Sequence, residues 1–136
     1  MKAHTSAVTI EAPAADVLEF VANPATLPQW AVGFAHTIRR EGDRWIASTA
    51  RGEVGVRYAV DLALGTVDFY LAPEPGVEFP AFSRVLPNAD GAEYVFTQFQ
   101  SPGMSDHEFQ GQVEALREEL QVLRSLFRAR AACATR

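Results

Sequence analysis

The residues that could do chemistry in this chain of 136 residues are few and lie far apart in sequence. The three histidines, His4, His36 and His107, form no His-x-x-x-His pair, and Cys133 is the only cysteine, so no Cys-x-x-Cys pair exists. The sequence also lacks a Gly-x-Ser-x-Gly elbow, a phosphate-binding loop and a dinucleotide fingerprint. It therefore predicts no metal and no cofactor, and it assigns no catalytic residue.

Tyr58 is the strongest single candidate for a functional side chain. It lies in an alternating stretch in which Val54, Val56, Val60 and Leu62 share its face. A tyrosine among such neighbours is buried, and its hydroxyl needs a hydrogen-bond partner. If that partner is a backbone carbonyl, Tyr58 is a core residue; if it is a ligand, Tyr58 lines a binding site.

Two aromatic side chains come earlier in the chain. Trp30 follows a helical segment that Pro28 interrupts, where it forms either one wall of a pocket mouth or part of the core. His36 lies near the start of the second predicted strand, on the same strand face as Ile38. It either faces a ligand as a proton carrier or stands in water at a sheet edge.

Asp68 and Arg84 lie near the middle of adjacent predicted strands, where a cross-strand ion pair is geometrically natural. Facing inward, such a pair would orient a polar group of a ligand; facing outward, it would contribute roughly 0–1 kcal/mol. Asp68 alternates with Val67 and Phe69. This alternation favours the outward side for Asp68 and the inward side for Phe69.

A long C-terminal helix, from 105 to about 131, must position these residues. Ser105 and Glu108 have the spacing of a capping box. Apolar residues recur at steps of four and three, which places them on one helix face; they are Phe109, Val113, Leu116, Leu120, Leu123 and Phe127. A one-sided helix of this length needs a broad apolar partner.

The preceding chain alternates with the period of strands. A first strand spans 4–11, and two short helical segments follow, the first ending at Asn23-Pro24. Six more strands are predicted at 34–41, 44–51, 53–63, 66–72, 78–87 and 92–100, with short turns that imply antiparallel pairing. In the last two strands, the face with Phe82 and Tyr94 and the face with Ser83 and Val85 are both apolar enough for burial. A second copy of the chain is therefore a candidate partner.

Composition excludes several classes of protein. The net charge is −5 and the arginines are scattered, which argues against nucleic acid binding. No run of 18 apolar residues exists, so no membrane span is predicted. The N-terminus lacks the apolar core of a signal peptide, so we expect a cytoplasmic protein. The length suits one domain over residues 1–136.

This order of elements resembles the helix-grip fold of the START-like superfamily, also called SRPBCC, which includes polyketide cyclases and lipid-transfer domains. The resemblance rests on residues 8–13 and 17–24, on Trp30 and on the helix from Ser105. It implies an α+β fold in which a curved, seven-stranded antiparallel sheet wraps one long C-terminal helix, with two short helices after the first strand. It also implies a cavity between sheet and helix.

Three hypotheses for function follow. The cavity binds a small hydrophobic or aromatic metabolite, lipid- or polyketide-like. Alternatively, the protein is a polyketide cyclase or dehydratase in which Tyr58, His36 or Arg84 moves a proton or stabilises an enolate. In the third, it is an interaction protein without a ligand.

Two titratable groups converging inside the cavity would favour the enzyme, but the sequence offers no pair at a diagnostic spacing. Whether a reaction is catalysed stays open at this stage. The residues expected to contact a ligand are Trp30, His36, Val56, Tyr58, Val60, Phe69 and Arg84.

Overall fold

Two short helices separate the first strand from the other six, as the sequence predicts. The structure is a computed structural model that describes residues 1–134. Its elements are β1 (Ala3–Ile10), α1 (Ala14–Ala22), a 3-10 turn (Pro24–Thr26), α2 (Leu27–Trp30), β2 (Thr37–Glu41), β3 (Arg44–Thr49), β4 (Gly52–Asp61), β5 (Thr66–Glu74), β6 (Val77–Asn88), β7 (Gly91–Phe99) and α3 (Asp106–Ala134).

The strands form one seven-stranded sheet in the order β1-β7-β6-β5-β4-β3-β2, and every neighbouring pair is antiparallel. From β2 to β7 each strand pairs with the next one in sequence, as short turns require. β1 instead pairs with β7, from Ala3 opposite Phe99 to Ile10 opposite Ala92. The first and last strands of the chain are therefore neighbours.

The break between α1 and α2 has a local cause at Asn23 and Pro24. The Asn23 side chain accepts a hydrogen bond from the Ala25 N–H (3.1 Å), and the Thr26 hydroxyl donates to the Phe20 carbonyl (2.7 Å). These bonds hold the chain in the turn between the two helices. They turn the chain so that α2 packs beside α3.

α3 begins at the predicted cap, since the Glu108 N–H donates to the Ser105 hydroxyl (3.1 Å). It ends at Ala134, beyond the predicted end near residue 131. The predicted apolar stripe is confirmed as the core face, because all six of its side chains are at most 5% exposed. α1 covers another part of the interior, with Val17 and Val21 fully buried and Phe20 edge-on against Phe127 (5.4 Å).

The sheet has one covered face, but the cover ends sooner along β4 than the alternation predicts. Val56 is buried, whereas Val60 is 39% and Leu62 69% exposed, so the expectation that the whole apolar face of this strand is covered is wrong. The strand runs past the end of the core into its turn with β5. Alternation identifies a face of a strand and not the point where its covering ends.

The register between β6 and β7 shows which residues of these two strands lie on the covered face. Val85 lies opposite Tyr94 and Ser83 opposite Phe96, so these residues share the covered face. Phe82 lies opposite Thr97 on the other face and is 39% exposed. The grouping of Phe82 with Tyr94 was therefore wrong.

Within residues 1–134, no helix is both long enough and apolar enough to cross a membrane.

Candidate functional site

A cavity of about 530 Å³ lies between the covered face of the sheet and α3. It exists because one helix, with α1 and α2 beside it, does not fill the whole concave side of seven strands. Its walls are mainly apolar and aromatic side chains from α2, the α2–β2 loop, the strands and α3: Leu27, Trp30, Ala31, Phe34, Val54, Val56, Phe69, Leu71, Phe79, Ala81, Phe96 and Leu116.

One end of the cavity reaches the protein surface. The exposed residues Arg51, of the β3–β4 turn, and Glu108, in the first turn of α3, line it there, together with residues 101–104 of the β7–α3 loop. These three segments form the mouth of the cavity. The mouth thus carries one cation and one anion.

Trp30, the last residue of α2, forms part of the cavity wall. Only 2% of it is exposed, and its ring lies edge-on against Tyr94, with centroids 6.0 Å apart. Its Nε1 is buried and has no hydrogen-bond partner among the described residues. A buried indole N–H usually finds an acceptor, so this unpaired donor is an unfavourable feature of the packed interior beside the cavity.

Gln98 adds a second donor of this kind. It lies on the covered face of β7 and lines the cavity. Within residues 1–134 its Nε2 is buried without a hydrogen-bond partner. Both residues therefore line the cavity, while their unpaired N–H groups lie within the packed interior.

Glu119, on α3, is the functional candidate that the sequence analysis missed. It lines the cavity and is only 7% exposed, and its Oε2 accepts a hydrogen bond from the Gly33 N–H (3.0 Å). A signal was present in the sequence, because Glu119 lies three residues after Leu116 and four before Leu123. It is thus a charged residue at the edge of the buried stripe.

Burial raises the pKa of the Glu119 carboxyl to about 7. The N–H groups of Gly33 and, more weakly, Phe34 act in the opposite direction, and the nearby Glu118 carboxylate raises this pKa further. The Gly33 bond is the one with clear geometry, since the Phe34 N–H itself donates to the Ala31 carbonyl (3.0 Å). Glu119 therefore changes charge near neutral pH.

No protein-family model matches the chain, and no curated protein matches it in sequence. Solved structures match it closely in shape. The alignment with XoxI from Bacillus cereus spans 93% of this chain and 96% of the XoxI chain, at 15% identity and with a TM-score of 0.76. The alignment with the ZhuI aromatase/cyclase from Streptomyces sp. R1128 spans 96% of this chain and 95% of the ZhuI chain, at 17% identity and with a TM-score of 0.68. The alignment with Ara h 8.0201 spans 94% of this chain and 98% of the other, at 12% identity and with a TM-score of 0.67.

The protein has the helix-grip fold. The expectation drawn from residues 8–13, residues 17–24 and the long helix is thus confirmed for the fold. Identities this low carry nothing about activity. What the helix-grip cavity does must be argued from its own residues.

Three of the seven residues predicted to contact a ligand, Trp30, Val56 and Phe69, line the helix-grip cavity. Tyr58 lies on the same sheet face, edge-on against Phe69 (4.9 Å), but does not itself line the cavity. In the described chain its hydroxyl is buried without a hydrogen-bond partner, so it does not bond the backbone carbonyl that one of the two alternatives predicted. Burial, with a smaller contribution from Tyr94, raises the pKa of the Tyr58 hydroxyl, so it keeps its proton at neutral pH.

The structure does not bring His36, Val60 or Arg84 to the cavity. His36 is exposed just before β2, and Val60 lies beyond the covered part of β4. Arg84 is exposed on the outer face of the sheet, where its Nε donates to the Leu64 carbonyl (3.1 Å). It points outward because its neighbours Ser83 and Val85 point inward.

The cross-strand pair of Asp68 and Arg84 does not form among the residues described. Register places Asp68 opposite Phe82 and Arg84 opposite Thr66, so the two charges are diagonal neighbours and not direct ones. The outer face instead carries Phe82 between Tyr70 and Phe99, with ring centroids 6.4 and 5.8 Å apart. A second copy on this face stays a prediction.

The charged residues that line the cavity are Arg51 and Glu108 at its mouth and Glu119 within. In the described part of the chain, no three His, Cys, Asp or Glu side chains come together as metal ligands do. The chemistry available inside the cavity is therefore apolar contact and one carboxyl that titrates near neutral pH.

Proposed function

We propose that this helix-grip protein binds a small hydrophobic or aromatic molecule in the cavity between its sheet and α3. The observation that carries the proposal is the cavity itself, about 530 Å³ with mainly apolar walls. Pockets of roughly 300–1,000 Å³ with a few placed polar groups are typical of small-molecule sites. The ZhuI protein, which shares the fold, is an aromatase/cyclase, so a ring-containing ligand is compatible with this fold.

The shape of the walls also favours rings. Trp30, Phe69 and Phe96 line the cavity, and the Phe69 and Phe96 rings lie 5.6 Å apart at 31° to each other. Flat aromatic walls stack on or meet the edges of flat ligands. A ligand of a few fused rings would cover more of this wall than a flexible chain would.

A polyketide cyclase-type enzyme is the second candidate, favoured by Glu119. A carboxyl with a pKa of about 7 in an apolar cavity suits proton transfer. However, Tyr58, His36 and Arg84 do not line this cavity, which leaves Glu119 as the one titratable group away from the mouth among the lining residues. This arrangement supports binding over catalysis.

The two candidates separate in a hydrogen-exchange experiment with 2-tetralone, an aromatic ketone, in D2O. An enzyme of this type would accelerate exchange of the protons next to the carbonyl, and Glu119→Gln would abolish the acceleration. A binding protein would hold the ketone and leave its exchange rate unchanged.

The binding proposal is tested with N-phenyl-1-naphthylamine, a neutral apolar dye. We expect a dissociation constant in the micromolar range, about −8 kcal/mol, and a change in tryptophan fluorescence. Because Trp45 also emits, the change in Trp30→Phe separates the two signals. Absence of dye binding by the folded protein would refute the proposed function.

A matched pair of variants on one strand locates the dye. Val56→Trp fills the cavity and should weaken dye binding at least tenfold, whereas Val60→Trp adds the same bulk outside it and should not. Leu71→Trp is a second filling variant from the neighbouring strand. Denaturation curves verify that each variant folds. Equal dye affinity of the filling variants and the parent would place the dye elsewhere.

A further inference from the structure

The outer face of the sheet, opposite the cavity, carries a row of three aromatic side chains from β5, β6 and β7: Tyr70, Phe82 and Phe99. The Phe82 ring meets the other two rings edge-on, at centroid distances of 6.4 and 5.8 Å. Phe82 is 39% exposed, and the other two side chains are half-buried. Aromatic clusters on a protein surface are typical of faces that meet another protein.

Two charges of opposite sign lie beside Phe82 on this outer face. Asp68 is directly across from Phe82 on β5, and Arg84 is two residues further along β6. Arg84 Nε donates to the Leu64 carbonyl (3.1 Å), which holds the guanidinium in place. Within residues 1–134, neither Asp68 nor Arg84 takes part in an ion pair. Both charges are therefore available to a partner.

We propose that a second copy of this chain docks on the outer face, related by a two-fold axis that lies in the interface and passes close to Phe82. On this face, one step across the strands is about 5 Å, and one step of two residues along a strand is about 7 Å. An axis that runs diagonally between these two directions exchanges them in the second copy. Asp68, one step across, then faces Arg84, one step along, and two-fold symmetry forms this pair twice.

A second pair of opposite charges obeys the same exchange. Arg57 lies two steps across from Phe82, on β4, and one step back along the strands. Glu93 lies one step across on the other side, on β7, and two steps forward. The exchange of directions therefore brings Arg57 opposite Glu93. Because Arg57 already bonds Glu78 and Glu93 already accepts from the Thr9 hydroxyl, this outer pair contributes less than the inner one.

The proposed axis also agrees with how sheets pack on each other. Since it runs diagonally to the strands, the strands of the two copies cross at roughly a right angle, which is one of the two common arrangements of facing sheets. The contact is then concentrated around Phe82, with the charged pairs surrounding an apolar centre, as in other protein interfaces. A small contact of this kind predicts a dissociation constant of roughly 1–100 µM.

Sedimentation equilibrium of the intact protein, from about 5 to about 500 µM, tests the proposal. We expect the mass to rise with concentration from the 14.9 kDa of one chain to twice that value. Phe82→Ser removes the aromatic centre and should raise the dissociation constant at least tenfold. Glu114→Arg, which reverses an exposed charge on α3, is the control and should dimerise as the parent does.

Charge reversal at the inner pair identifies the partner as a second copy. Asp68→Arg and Arg84→Asp each place like charges opposite each other, and each should weaken self-association at least tenfold. An equal mixture of the two variants should dimerise again, because one variant then offers two arginines to the two aspartates of the other. Contacts within a single chain could not produce this rescue.

Three results would overturn the proposal: a parent that stays monomeric at about 500 µM, a dimer that survives Phe82→Ser and both charge reversals, or a mixture of the reversed variants that stays monomeric. The first would leave the face to a different partner, and the second would place the interface elsewhere. Denaturation curves verify that each variant folds. Dye binding should be the same in all of these variants, because the cavity lies on the other face, so the proposed function stands or falls separately.

Discussion

Glu119 shows how one carboxyl can be buried beside an apolar cavity. Its charged form loses hydration there, and the Gly33 N–H replaces only part of it. The folded protein therefore holds the proton on this carboxyl more tightly than the unfolded chain does. The consequence is a stability that depends on pH.

The pH dependence of stability tests the state of Glu119. Because its pKa is about 7 when folded and 4.5 for a glutamate carboxyl free in water, the folded form binds more protons between these values, and stability falls as pH rises through that window. Glu119→Gln has no proton to lose. We expect its free energy of unfolding, measured with urea, to equal the parent's near pH 4 and to exceed it by roughly 3 kcal/mol above pH 8. Parallel profiles would contradict the raised pKa.

Ser83 and Tyr94 test the buried polar bonds of the sheet face. The Tyr94 hydroxyl donates to the Ser83 Oγ (3.0 Å), which donates to the Val67 carbonyl (2.6 Å). Tyr94→Phe removes one bond but leaves Ser83 paired with Val67, so it should cost about 1 kcal/mol. Ser83→Ala leaves the Tyr94 hydroxyl and the Val67 carbonyl without this partner and should cost about 2–3 kcal/mol. Denaturant midpoints in the reverse order would refute this chain of bonds.

At the scale of elements, α3 carries the largest share of the apolar cover. Leu123 is fully buried within the core cluster. Leu123→Ala should lower the free energy of unfolding by about 2–5 kcal/mol, whereas Gln121→Ala on the exposed side should change it by less than about 0.5 kcal/mol. Similar denaturation curves for the two variants would mean that the stripe is not the core face.

The helices and strands could be predicted because their signals are local. Each of these signals acts on backbone within a few residues in sequence. They are the helix cap at Ser105, the helix stop at Asn23-Pro24 and the short turns. Burial along a strand is not local in this sense. Val56 and Val60 have the same residue type on the same face, but only the helices packed above them decide that one is covered and the other is not.

The site was harder to predict than the fold for the same reason. Tyr58 lies on the predicted sheet face but does not line the cavity. The position of the cavity depends on how α1 and α2 pack, which the strand pattern does not show. Glu119 was missed because a single acid beside an apolar stripe usually lies in water. Its burial requires the Gly33 N–H, which comes from a loop 86 residues away in sequence.

For the whole molecule, the pairing of β1 with β7 has a consequence during synthesis. β2 to β7 pair in the order in which they are made, but β1 is made first and its partner is made almost last. At about 5–20 residues per second, a ribosome needs roughly 4–16 s to make the stretch between them. Throughout that interval the nascent chain holds Val8 and Ile10, later buried, on a strand without its neighbour. Of the seven strands, β1 is therefore the one that waits longest for its sheet neighbour while the protein is being made.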